Sequence, residues 1–225
     1  MSFELRLYQD DVAPGAKLAL PAAPVRAVYV VSGGVRLQPG TQTGGLTAAL
    51  GVNSAFHTAA DLAVTGGNLP TVALRWELVA AGAPEGALKG DGIVSKPLLA
   101  APMALDRQAA WLLRCDRVDF PPKGEALLHT HQGGGTRCLL FGGIRIETQG
   151  HTHHYDPLGA WFEAGPDLVY AAASATEPSA FARVMLLPRA LLGKSSIAYV
   201  NPDDLAKPKS QRYQVFLDVP VTLPG

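Results

Sequence analysis

The sequence predicts an all-β protein built from two similar antiparallel units, and three observations predict it. Short apolar, β-branched or aromatic runs, such as VRAVYVV, TVALRWELV, RCLLF, IRIE and AFARVMLL, are long enough for strands and too short for most helices. Between them, 24 glycines and 18 prolines among 225 residues supply frequent turns. The third observation is a repeat, since two stretches of the chain match each other at nearly constant spacing.

Residues 14–37 lie over residues 123–146, with Gly15 on Gly124 and Gly33-Gly34-Val35-Arg36-Leu37 on Gly142-Gly143-Ile144-Arg145-Ile146. One residue less in the offset brings Leu50-Gly51 onto Leu158-Gly159, and TVALRWEL at 71–78 onto SAFARVML at 179–186, with Arg75 on Arg183. Each copy reads strand, turn, strand, Gly-Gly turn, strand, Gly loop, strand. The reading therefore divides the chain into domains 1–90 and 91–225, joined through AAGAPEGALKGDG at 80–92 as linker or interdomain crossover. Two short segments read as helical, PRALLGK at 188–194 and NPDDLAK at 201–207, the second with Asn201 capping ahead of Pro202. The tail QRYQVFLDVPVTL at 211–223 alternates like a strand, with an edge of the first unit or of a partner chain as its expected place.

Lys plus Arg total 19 and Asp plus Glu total 19, so no net charge or basic run draws nucleic acid or an anionic membrane. The N-terminal MSFELRLYQDD is charged where a secretory signal is apolar, and no run is long enough to span a bilayer, which predicts a soluble cytoplasmic protein. Cys115 and Cys138 are the only cysteines and read as buried thiols without chemistry.

The chemistry is concentrated in GEALLHTHQGGGTRCLLFGG at 124–143. His129 and His131 are two apart, so in a strand both imidazoles project to one side, as a metal site requires. Under the repeat they fall on Leu20 and Ala22, which leaves the first copy without the polar pair and favours an inward direction for it. Alternation alone leaves the direction open, because Leu127 shares a face with the histidines and Leu128 occupies the other. His57 reads as a surface or hydrogen-bonded histidine. His151, His153 and His154, in GHTHHYD, read as a solvated turn and strand, with His151 and His153 as a second candidate pair.

The second half resembles a cupin, a small double-stranded β-helix or jelly roll. Gly124, His129, His131 and Gly143 match that family's first motif, with four residues rather than five between Gly124 and His129, and the glutamate position falls on Thr136. In PLGAWFEAGPDLVY at 157–170, Gly165 matches the glycine of the second motif, and the histidine position falls on Leu168, or on Tyr170 if the motif begins at Gly159. The resemblance covers residues of about 105 to 187 and, through the repeat, about 5 to 80, so the chain looks like a bicupin of two tandem barrels, the first lacking metal histidines.

That resemblance implies a divalent metal (Fe, Zn, Mn or Ni) held by His129 and His131; with the family's other ligand positions replaced, the carboxylates of Glu163, in GAWFEA, and Asp167, after the Gly165-Pro166 turn, are the candidates for third ligand, Glu163 foremost. It implies an enzyme acting on a small carboxylate or phenolic substrate, a dioxygenase by the family's commonest chemistry, and a homodimer. Tyr170, as alternative third ligand or catalytic group, and Arg137, as a clamp for a substrate carboxylate, complete the expected site. Arg137 pointing outward toward a surface acid is the other reading. The rival function is a non-catalytic binding or sensory cupin that has lost the complete metal site, and a third class is a structural homo-oligomer.

Overall fold

In a computed structural model, the residues described are 2–39 and 48–224. Residues 40–47, inside the first expected domain, lie outside them. The chain divides into two compact units between Gln108 and Ala109, the second ending at Pro220.

The first unit contains β1 (Phe3–Val12), β2 (Lys17–Leu20), β3 (Arg26–Ser32), β4 (Gly34–Pro39), β5 (Ala48–Gly51), β6 (Ser54–His57), β7 (Leu62–Gly66), β8 (Thr71–Ala80), β9 (Lys89–Gly90) and β10 (Ile93–Met103). They form two sheets, β6-β3-β8-β1-β10-β9 and β2-β7-β4-β5. Strand β10 runs antiparallel to β1 from Ile93 opposite Val12 to Met103 opposite Phe3. The stretch at 80–92 is thus a connection within this unit and not between the two, and the division comes later than residue 90 because β10 fills the open edge of β1.

The second unit contains β11 (Trp111–Phe120), β12 (Glu125–His131), β13 (Gly135–Phe141), β14 (Ile144–Thr148), β15 (His151–Tyr155), β16 (Ala160–Glu163), β17 (Val169–Ala173), β18 (Ser179–Pro188), β19 (Ile197–Tyr199) and β20 (Arg212–Val221). Its sheets are β16-β13-β18-β11-β20 and β15-β14-β17-β12-β19. The first eight strands of each unit therefore follow one connectivity, β6-β3-β8-β1 answering to β16-β13-β18-β11 and β2-β7-β4-β5 to β12-β17-β14-β15. The tail strand β20 lies beside β11 in the second unit itself, and is not left over for a partner chain.

The Gly-Gly turns show why the repeat is written in glycine. Gly33 and Gly142 have φ of 74° and 75°, where an L side chain is strained, and a Cβ on either would meet a carbonyl oxygen at 2.5 Å (Pro70) or 2.3 Å (Pro178). The next glycine is clasped by a hydroxyl from the following long strand. The Thr71 hydroxyl bonds Gly34 N–H and C=O at 2.9 and 2.8 Å, and Ser179 does the same for Gly143 at 3.2 and 2.7 Å.

The interiors differ. In the first unit Leu20, Val30, Val35, Leu37, Leu62 and Val64 form an apolar cluster. Above it Arg75 is ion-paired with Asp10 at 2.7 Å and Glu77 at 2.9 Å, and Arg26 with Glu77 at 2.8 Å. Two cations answer two carboxylates there, and the cavity beside Asp10 and Arg75 is only about 10 Å³. Leu20 belongs to this core as expected, whereas Ala22 lies beyond the end of β2 and is exposed, so no inward position answers to His131 at that residue. His57 donates its Nδ1–H to the Arg26 carbonyl at 2.7 Å.

In the second unit Val118, Phe120, Leu139, Ile146, Trp161 and Phe181 are among the residues that fill one end of the barrel. Each such side chain contributes about 1.5–3 kcal/mol on burial, which offsets the cost of the charged groups enclosed at the other end. The two segments read as helical are single 3-10 turns, Arg189–Leu191 and Pro202–Leu205, the second capped by the Asn201 side chain accepting from Asp203 N–H at 3.1 Å. Both cysteines are buried, and burial pushes the Cys138 thiol up to about 12. Among the described residues no helix is long and apolar enough to cross a membrane.

Candidate metal centre

The inward-facing rows of the second unit follow from strand register. Val118, Phe181 and Leu139 lie opposite one another across β11, β18 and β13, and the next inward row reads Asp116, Arg183, Arg137 and Trp161. One step further along β16, Glu163 faces Gly135. The apolar end thus gives way to a charged end within two residues of each strand.

Strand β12 brings the histidines into that end by a bulge. Its pairing with β17 is regular at Ala126 and resumes at His129, with a register shift between. Ala126 lines the apolar cluster, and without the bulge the next inward residues would be even-numbered. The shift turns His129 and His131 inward together, while Leu128 is exposed. The leucine alternation carries no information about direction because the bulge breaks it.

His129 and His131 are buried, their Nε2 atoms 3.2 Å apart. The Glu163 Oε2 atom lies 3.2 Å from His131 Nε2, and the three side chains offer ligand atoms within 4.8 Å of one another. His129 Nδ1 faces the Leu127 carbonyl at 2.7 Å, so it carries the proton and leaves Nε2 as a lone pair in the neutral ring. The Trp161 indole donates to Glu163 Oε1 at 2.9 Å, and Arg137 lies 2.6 Å from Oε2 as an ion pair. His129, His131, Glu163 and Arg137 line a cavity of about 20 Å³, the space of one water molecule or one ion.

Burial lowers the pKa of both histidines, that of His131 to about 3, and the nearby Glu163 charge only partly restores it. Burial also opposes the charge on Glu163, but the Arg137 cation and the hydrogen bonds from His131 and Trp161 outweigh it and hold the carboxyl well below the usual range. Burial brings Arg137 down to about 10, which leaves it a cation at neutral pH. Two neutral imidazoles and one carboxylate are the protonation states that metal binding needs.

The histidine shifts predict a pH dependence of stability. The folded values lie below the ordinary histidine value of 6.5, so the unfolded chain binds more protons below pH 6.5, and stability falls as pH falls through that window. The Glu163 contribution is complete above the ordinary carboxyl value, so it does not change between pH 6.5 and about 5. In that interval His131 should contribute a slope approaching about 1.4 kcal/mol per pH unit. Urea unfolding at successive pH values should show a shallower slope for His131→Leu; an unchanged slope would contradict a neutral buried His131.

The structure brings together four of the five expected site residues, His129, His131, Glu163 and Arg137, and leaves out Tyr170. Val169 and Ala171 line the barrel interior, so Tyr170 between them faces outward, where its hydroxyl donates to Glu125 at 2.6 Å. Arg137 faces inward and not toward a surface acid, with its fork directed at the Gly135 carbonyl (2.5 Å) and Glu163 (2.6 Å). Thr136, where the resemblance places a glutamate, is buried on the opposite face from Arg137, and Leu168 is exposed. His151, His153 and His154 are exposed on the edge strand β15. Sequence reasoning missed the role of Arg183, which pairs with buried Asp116 at 2.6 and 3.0 Å. The signal was an arginine in the apolar run AFARVML, at the position repeated by Arg75.

The donor set fits a divalent metal in one further respect. Glu163 Oε2 is buried, with His131 Nε2 and Arg137 beside it at 3.2 and 2.6 Å and no hydrogen bond of good geometry, so an acceptor is left over at the point where the three ligands converge. His129 already has the carbonyl partner that orients a ligating imidazole.

No protein-family model matches the chain, and no curated protein sequence matches it. Solved structures do. Oxalate decarboxylase of Bacillus subtilis superposes with a TM-score of 0.61 at 11% identity over 90% of this chain and 73% of that one. The formate complex of Lactobacillus farciminis oxalate decarboxylase gives 0.63 at 12% over 90% and 82%. AerE from Microcystis aeruginosa gives 0.56 at 14% over 82% and 87%. The chain has the cupin jelly-roll fold. At these identities the likeness is one of fold, and the chemistry of this chain has to be argued from its own residues.

Proposed function

We propose that this two-barrel cupin is a metal-dependent enzyme of small-molecule chemistry whose centre lies in the second barrel. The observation that carries the reading is the convergence of His129, His131 and Glu163, all buried, at the charged end of that barrel. His129 and His131 would hold the ion through Nε2 and Glu163 through Oε2, and the ion would act as a Lewis acid on a bound organic acid or phenol. Arg137 holds Glu163 in place, Trp161 fixes the second carboxylate oxygen, and the apolar residues below exclude water from one side. Among the fold's neighbours, the B. subtilis oxalate decarboxylase is described with Mn(II) centres, which makes manganese one of the ions to supply.

One observation favours a second reading, a metal-free cupin that binds a small molecule without turning it over. Arg137 already places a positive charge 2.6 Å from the oxygen that would ligate the ion. Elemental analysis after growth with added manganese, iron, zinc and nickel separates the two. About one first-row ion per chain is the expected result for a site with three protein ligands; none under any supplement leaves the binding reading.

A further inference from the structure

A larger cavity of about 390 Å³ lies against the metal centre, within the size range of small-molecule pockets. It is formed inside the second unit by β11, β18, β20 and the segment leading into β19. Arg183 and Tyr213 line both this chamber and the inner cavity. The Arg183 guanidinium sits over the Tyr213 ring at 5.5 Å, so the two side chains form a partition with the histidines behind it.

The charges around the chamber are matched with one exception. Arg183 is held by both oxygens of Asp116. Arg114 is held by both oxygens of Asp218 at 3.0 Å each, and it also donates to the carbonyls of Lys194 and Leu191 at 2.8 Å. Those bonds anchor Lys194 at the rim, where its side chain is exposed and its ammonium is in no ion pair among the described residues. Gly193, Ser195 and Ser196 flank Lys194 in the lining, and the remaining wall is apolar, from Ile197, Val215 and the Tyr213 ring.

We infer that the chamber takes a monoanionic organic acid with an apolar body. Its carboxylate meets Lys194 at the rim, its body lies against Ile197, Val215 and Tyr213, and its far end faces the partition. A dianion places its second charge against apolar wall with every other cation already paired, at a desolvation cost that nothing there returns. The inner cavity, with room for one water or ion, is too small for such a body, so the two cavities divide the work of holding the molecule and holding the metal. This rests on the metal reading only for what lies behind the partition; occupancy of the chamber does not.

The test is titration of the full chain with benzoate, benzyl alcohol and oxalate at low ionic strength, by calorimetry or ligand-observed NMR. Benzoate should bind saturably at one site, and Val215→Trp, or Ile197→Trp should the first variant misfold, should weaken it about tenfold or more by filling the chamber. Lys194→Gln should weaken benzoate several-fold at low salt and leave benzyl alcohol unchanged. In the His129→Ala/His131→Ala variant benzoate should bind within about twofold of the parent, so failure of the metal reading leaves this result standing. Benzoate binding that never saturates, or that survives both tryptophans, overturns the chamber. Equal loss of benzoate and benzyl alcohol in Lys194→Gln, or tighter binding of oxalate, overturns the assignment of a monoanion.

Discussion

Replacing His129 and His131 together by alanine should reduce bound metal from about one ion per chain to less than about a tenth, and activity with it, because one carboxylate already paired to an arginine cannot hold a divalent ion alone. The barrel should remain folded. Both imidazoles lie at the charged end, away from the apolar cluster of Val118, Phe120, Leu139 and Phe181, and Glu163 keeps Arg137 and Trp161 as partners when His131 is lost. Elemental analysis and circular dichroism on the same sample check both halves of the expectation. The matched control is His151→Ala/His153→Ala on the exposed strand β15, which should keep its metal. Retention of metal by the first variant and loss by the second would move the site to that surface pair, whose rings lie 6.1 Å apart.

What the sequence disclosed and what it hid follow from the range of the interactions. The two antiparallel units were legible because their signals are local: short apolar runs, glycine turns and a repeat whose Gly-Gly corners tolerate no Cβ. The His-x-His pair was legible for the same reason. The direction of that pair was not, since it depends on a bulge visible only once β12 is paired with β17. Tyr170 was misplaced through motif spacing, which counts residues but ignores which face of β17 each occupies. Arg137 was recognised as chemically important without its partner, because Glu163 meets it only through the pairing of β13 with β16. The chamber was invisible in the sequence altogether. Arg114, Lys194 and Asp218 come together across as many as 104 residues, and the strand that closes it was assigned elsewhere.

The largest effect on stability is expected from Arg137→Met, and its dependence on metal discriminates between the two functional readings. Arg137 is fully enclosed, and its loss leaves the Glu163 carboxylate buried with Trp161 and His131 as its remaining partners. Breaking a buried pair from one side costs about 3–5 kcal/mol, most of it the penalty of the abandoned charge. In EDTA, urea unfolding of the second unit should move by that amount. A divalent ion at the same place would supply the missing positive charge, and it would no longer compete with a guanidinium 2.6 Å from its ligand oxygen. Manganese or zinc should therefore recover most of the lost stability in Arg137→Met and bind it about tenfold more tightly than the parent chain. A variant that is destabilised and gains nothing from either ion would mean that Arg137 is the permanent counter-ion of Glu163, as the metal-free reading requires. A metal affinity that falls would mean that the arginine's service to the site is to hold the carboxylate in position, and that competition between the two cations plays no part.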